Sequence, residues 1–146
     1  DRREGDDEML EALVRDELAA VETYRQALEK VGSGPEGRTL RELEAEHEEA
    51  VGMLRDRMTQ LVAQSPTSSG LWGAWAKAVE GTAKIVGPKA AIKALKEGEK
   101  HGIHDYEEAL RDEELDARVR ELISARLLPK TRAHGPVLDR LLAQAG

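Results

Sequence analysis

Two stretches decide the fold: ELAAVETYRQAL at residues 17–28 and EKHGIHDYEEAL at residues 99–110. In each, a tyrosine stands seven residues after a glutamate and three before an Ala-Leu pair, as Glu17, Tyr24, Ala27 and Leu28 and again as Glu99, Tyr106, Ala109 and Leu110. Seven residues are almost two helical turns, so each Glu and its Tyr share one helix face. The copies are 82 positions apart. The same acid and phenol twice over imply two helical hairpins related by a pseudo-twofold. Such a bundle gathers its acids at the middle, where metals bind.

Outward from Glu17, the residues Leu10, Leu13, Val14, Leu18, Val21, Tyr24 and Leu28 follow three/four spacing. That predicts a first helix over about residues 8–30, behind a charged and frayed start. Gly32 and Pro35 end it and open a second helix over about 36–64, with Leu40, Leu43, Glu44, His47, Val51, Leu54, Met58 and Leu61 inward. A loop over 65–70 follows, and residues 71–86, with Trp72 and Trp75 among small residues, read as a short helix. The third long helix covers about 88–112, with Ile92, Leu95, Glu99, Ile103, Tyr106 and Leu110 in its stripe. Asp116 can cap a fourth helix, in which Pro129 and Gly135-Pro136 predict a kink or a split. The plan is an all-α, antiparallel four-helix bundle of the ferritin-like variant, one domain over 1–146, with a long crossover carrying a short extra helix.

Composition agrees. The chain has 146 residues, no Phe, two Trp and two Tyr, so its core is built from Leu, Val, Ala and Met. A net charge of −7 argues against nucleic acid as a partner. No apolar run approaches the length of a membrane span, and no signal peptide is visible, so a cytoplasmic location is expected. Without Cys, only His and carboxylate remain as strong metal ligands.

In di-iron bundles two helices each give one Glu, and the other two each give a Glu-x-x-His pair whose members converge because residues three apart share a face. Glu17 and Glu99 fill the single-acid places, and Glu44 with His47 forms the first pair. Overlaying the second helix on the fourth at an offset of 87 matches Leu40 with Leu127, His47 with His134, Val51 with Leu138 and Leu54 with Leu141. Thr131 then falls opposite Glu44. The fourth helix keeps the imidazole and lacks the acid. The candidate ligands are therefore Glu17, Glu44, His47, Glu99 and His134. Hard oxygens with imidazole suit iron, and Mn or Zn could use the same donors. Tyr24 and Tyr106 are candidates to orient ligand carboxylates. The alternative is that they are core residues whose hydroxyls reach a buried acid. His101 and His104, with Glu97 and Glu108, line another face and read as solvated or dimer-facing.

The two Glu-x6-Tyr helices, Glu44-x-x-His47 and Glu97-Gly98-Glu99 resemble rubrerythrins. The run Leu71-Trp72, Gly87, Ala90-Ala91, Glu99 and Tyr106 also looks like demethoxyubiquinone hydroxylase, another di-iron bundle. Over nearly the whole chain the resemblance is to a bacterial ferritin-like family of undefined function, whose fourth helix also keeps a late His without the usual acid. These resemblances imply metal binding, and in some members oxygen or peroxide chemistry at iron in oxidative or metal stress. By correspondence Glu17 and Glu99 would be terminal ligands and Glu44 the bridge, while His47 and His134 would each hold one ion. Thr131 departs from the pattern at the second bridge, which leaves open one ion or two.

A different class of function stays beside this one: a metal-free interaction or structural bundle, expected as a homodimer. Its acids would pair with buried cations, for which Arg126 and Lys130 are the candidates. The direction of those two side chains, against that of Thr131 and His134, separates the readings. A membrane-associated hydroxylase is a third reading, resting on Trp72 and Trp75 as an interfacial anchor.

Overall fold

The structure, a computed structural model, describes the backbone of residues 2–61 and 87–145 and the side chains of 8–59 and 87–144. The expected crossover helix over 71–86, with Trp72 and Trp75, lies outside the described residues. Helix α1 spans Arg2–Val31, α2 Pro35–Leu61 and α3 Gly87–Leu110. Helix α4 begins as Ala117–Leu122, widens into a π turn at Ile123–Leu127 and continues as Leu128–Ala145. Helix α1 begins at Arg2, ahead of the expected start near residue 8.

The turns follow from single residues. Gly32, at φ +89°, takes the left-handed conformation, and its N–H donates to the Leu28 carbonyl at 2.9 Å to close α1. Asp116 caps α4, its carboxylate accepting from the N–H groups of Arg118 at 2.9 Å and Val119 at 3.3 Å. Helix α2 starts so close to the first turn that a Cβ at Gly37 would stand 1.9 Å from the Gly32 carbonyl oxygen. Gly37→Ala is therefore expected to destabilise the protein by about 1–3 kcal/mol. A Cβ at Gly52 meets nothing within 4 Å, in an exposed helix interior. Gly52→Ala should stabilise by roughly 0.5–1 kcal/mol. Denaturant melts of the two variants would show opposite signs; a shift of the same sign would refute the packed turn.

In α4 the helix is not split: it runs on through a widened turn. Pro129 has no N–H to donate, and in a regular helix its ring presses on the carbonyl four residues back, that of Ala125. The helix adapts one residue earlier: the Leu128 N–H donates to the Ile123 carbonyl, five residues back. The wide turn also keeps the inward face in phase. Val119, Ile123, Leu127 and Thr131 are all buried at steps of four. Each such step overshoots one face of a regular helix by about 40°.

Side-chain pairs orient the bundle. Tyr24 meets Glu99 and Tyr106 meets Glu17, so α1 and α3 run antiparallel. Helix α1 packs on α2 and α3, α3 packs on α4, and α2 and α4 touch only sparsely. Two apolar clusters form. One joins Leu10, Leu54, Met58, Leu115, Val119 and Ile123 at one end, and the other joins Tyr24, Leu40, Ile92, Leu95 and Leu138 at the opposite end. Helix α2 thus ends in the first cluster and α3 begins in the second. Between the clusters lies a polar layer of Glu17, His47, Glu99, Thr131 and His134, each at most 4% exposed.

Candidate metal centre

Each helix contributes one or two side chains to this layer, because its inward stripe places a polar residue midway between two apolar segments. Glu17 comes from α1, His47 from α2, Glu99 from α3, and Thr131 and His134 from α4. Oε2 of Glu99 accepts from three donors: the Tyr24 hydroxyl, His47 Nε2 at 2.8 Å and His134 Nδ1 at 3.0 Å. Its twin, Oε1, is buried with no hydrogen-bond partner. His47 Nδ1 donates to Glu17 Oε1, and the Tyr106 hydroxyl donates to Glu17 Oε2. Each phenol thus reaches the carboxylate of the facing helix, not that of its own. The second nitrogen of His134 donates to Glu46 Oε1 at 2.9 Å. The two imidazole rings stand edge to face, 4.9 Å between centroids.

The protonation states follow from these partners. An ionised carboxylate only accepts, so the ring nitrogens facing Glu17, Glu99 and Glu46 favour the protonated form of both imidazoles. Burial works against a charged His47, but the charge of Glu17 and the hydrogen bonds to Glu17 and Glu99 outweigh it and carry the pKa up to about 10. Burial likewise disfavours a charged Glu99, yet hydrogen bonds from His134 and His47 bring it down to about 2. His134 is raised as well: the pull of Glu99 and Glu46 exceeds the burial that would lower it. Burial and the adjacent carboxylates push both phenols above their usual range, so Tyr24 and Tyr106 remain donors.

Of the ligands expected from sequence, Glu17, His47, Glu99 and His134 converge, with Tyr24 and Tyr106 on the two acids. Glu44 does not join them. It stands three residues before His47, on the side of α2 that faces α1, where Arg25 Nε donates to its Oε2 at 3.1 Å. Thr131 is in the layer, but its hydroxyl donates to the Leu127 carbonyl of its own helix at 2.8 Å. Glu46 is a partner that the spacing argument missed. As the residue just before His47 it turns toward α4, and only the neighbouring helix makes that direction matter. The candidate cations lie elsewhere: Arg126 is exposed, and Lys130 pairs with Glu49 at 3.2 Å.

His47, Glu99 and His134 offer ligating atoms all within 4.8 Å of one another, and so could hold a metal ion. The chemistry of the set fits. Two imidazoles and a carboxylate suit a divalent first-row metal, and the unpartnered Glu99 Oε1 is a free ligand atom. Two clefts reach the layer. One, narrow and of about 10 Å³, opens between α2 and α4 beside Glu46, Lys130 and His134. The other, also of about 10 Å³ and so the size of a single water, opens between α1 and α3 beside Asp16, Gly98 and Gly102. Among the described residues, no helix is long and apolar enough to cross a membrane.

No curated protein and no solved structure matches this chain. One family model does, over residues 7–112, a span that holds Glu17, His47 and Glu99 and stops before Thr131 and His134. That span is well over half of the sequence, and the chain belongs to the family described as a domain of unknown function (DUF2383).

Proposed function

We propose that this chain is a ferritin-like metal-binding protein whose inner centre takes iron as Fe(II). His47, Glu99 and His134 are its ligands, and Glu17 and Glu46 flank them. The observation that carries this reading is the convergence of two imidazoles and a carboxylate in a layer that holds no Lys or Arg, since neither type is buried among the described residues. The crossed Tyr–Glu contacts of α1 and α3 support the ferritin-like kinship. Mn(II) and Zn(II) share the same donors and compete for the site. Bound iron would supply redox chemistry toward oxygen or peroxide, a role suited to oxidative or metal stress in the cytoplasm.

The chain's own residues do the rest. Tyr24 and Tyr106 hold the two carboxylates in place through hydrogen bonds. The apolar clusters on either side keep bulk water out of the layer. Thr131 offers no carboxylate, which favours one ion over two.

The test is an anaerobic Fe(II) titration of metal-free protein, followed by exposure to oxygen or peroxide and an optical spectrum. The Glu99→Gln/His134→Ala double variant is expected to bind about one Fe(II) per chain fewer than wild type, and Glu44→Ala as many as wild type. Equal binding by the double variant would sink this reading. A second reading, a metal-free structural bundle, draws support from the closure of the layer by its own protons, since both histidines have both nitrogens bonded. It becomes primary if wild-type protein takes up no Fe(II), Mn(II) or Zn(II).

A further inference from the structure

A second cluster lies outside the polar layer. Asp16, His101 and Asp105 bring three ligating atoms within 4.8 Å of one another. His101 Nε2 is 3.1 Å from Asp105 Oδ2 and 3.5 Å from Asp16 Oδ1. Helix α3 supplies His101 and Asp105 one turn apart on one face, and α1 supplies Asp16 from across the interface. The imidazole is exposed to solvent and the two carboxylates are half-buried. Asp16 Oδ2 is enclosed, and its carboxyl pairs with that of Asp105, so a bound ion would take the place of the shared proton. On the solvent side His104 also approaches, its Nδ1 being 3.3 Å from Asp105 Oδ1.

Asp16 also lines the α1–α3 cleft, together with Glu17, Ala20, Gly98, Glu99 and Gly102. Glycine at 98 and 102 leaves the α3 wall open at those two positions. A Cβ at Gly98 would meet nothing within 4 Å. At the inner end is Glu99, over nine-tenths buried, with Oε1 unpartnered. One cleft therefore joins a half-exposed Asp/His cluster to a buried carboxylate that has a free ligand atom.

We propose that Asp16, His101 and Asp105 form an outer site for a divalent cation, from which the ion passes along this cleft to the inner centre. The outer site stands on its own residues; the passage rests on the metal reading given above. Two carboxylates and one imidazole, with room for several waters, suit Mn(II) or Fe(II). An acidic mouth also raises the local concentration of cations and speeds their entry.

The experiment is equilibrium dialysis of the metal-free chain against Mn(II), with metal counted per chain, for wild type, Asp105→Asn/His101→Ala and Asp16→Asn. All three changes lie at half-buried or exposed positions, and unchanged thermal melts in chelator would confirm intact folds. The expected result is one Mn(II) fewer in the double variant and in Asp16→Asn than in wild type. Wild type holding one ion and both variants none would support the outer site while removing the inner one. Equal counts in all three proteins, or no Mn(II) on any, would overturn the outer site. Filling of the inner centre with Co(II), followed by the absorption of the imidazole-bound ion, should slow about tenfold in the double variant. An unchanged filling rate would overturn the passage.

Discussion

His47→Ala is expected to lower the melting temperature of the metal-free protein by roughly 10–20 °C. His47 is 4% exposed and donates to both Glu17 and Glu99. Its removal leaves Glu17 with the Tyr106 hydroxyl as the remaining contact of this network and takes one of three donors from Glu99. Breaking a buried ion pair from one side costs about 3–5 kcal/mol, because the partner charge stays in a poorly solvated place. The same logic predicts strong coupling. Glu17→Ala/His47→Ala should be less destabilised than the sum of its single variants. Thermal melts in chelator at neutral pH check both points. Additive losses, or a shift of only a degree or two for His47→Ala, would show that the acids are solvated and that the layer is not an ion network.

The second large effect is on pH. His47 rises from 6.5 unfolded to about 10 folded. Its contribution is therefore complete below pH 6.5 and is lost as pH climbs through 10. Glu99 falls from 4.5 to about 2, so its contribution is complete above pH 4.5 and is lost as pH drops through 2. Both sides describe one set of contacts, so stability of the metal-free protein should peak between pH 4.5 and 6.5 and decline on either side by several kcal/mol. Asp16 tilts the whole profile the same way and draws the maximum toward pH 4.5. Its burial and its neighbour Asp105 push its pKa from 3.8 to about 9, so across that window the unfolded chain ionises it while the fold keeps it protonated, and stability falls as pH rises. Denaturant midpoints measured in chelator from acid to alkaline pH test this, and a flat profile between pH 6.5 and 10 would rule out a protonated His47. A bound metal takes the place of the imidazolium protons, so the stabilisation gained from added metal should grow with pH.

Periodicity and spacing carried much of the architecture. The stripes of α1, α2 and α3 read directly from three/four spacing, because burial of one face is a local property of a helix. Pairing Glu17 with Tyr24 and Glu99 with Tyr106 as one repeated unit identified the acids that end in the polar layer. The overlay of α2 on α4 selected His134, even across two prolines. Less legible was the helix that absorbs those prolines: whether Pro129 breaks, bends or widens α4 depends on how the flanking turns pack, and the π turn keeps Leu127, Thr131 and His134 facing inward.

What belongs to the sequence alone is therefore the set of helices, the repeat and the presence of buried acid, phenol and imidazole on shared faces. Only the tertiary structure decided which acid faces which base. Glu44 and Glu46 lie two residues apart on α2, about 200° around the helix, and nothing within that helix ranks them as ligands. Packing of α1 brought Arg25 to Glu44, and packing of α4 brought His134 to Glu46. Similarly, His101 and Asp105 are readable as a pair on one helix, but Asp16 joins them only because α1 and α3 run antiparallel. Contacts within a helix are set by its period, whereas those between helices are set by register and orientation, which no single stripe encodes.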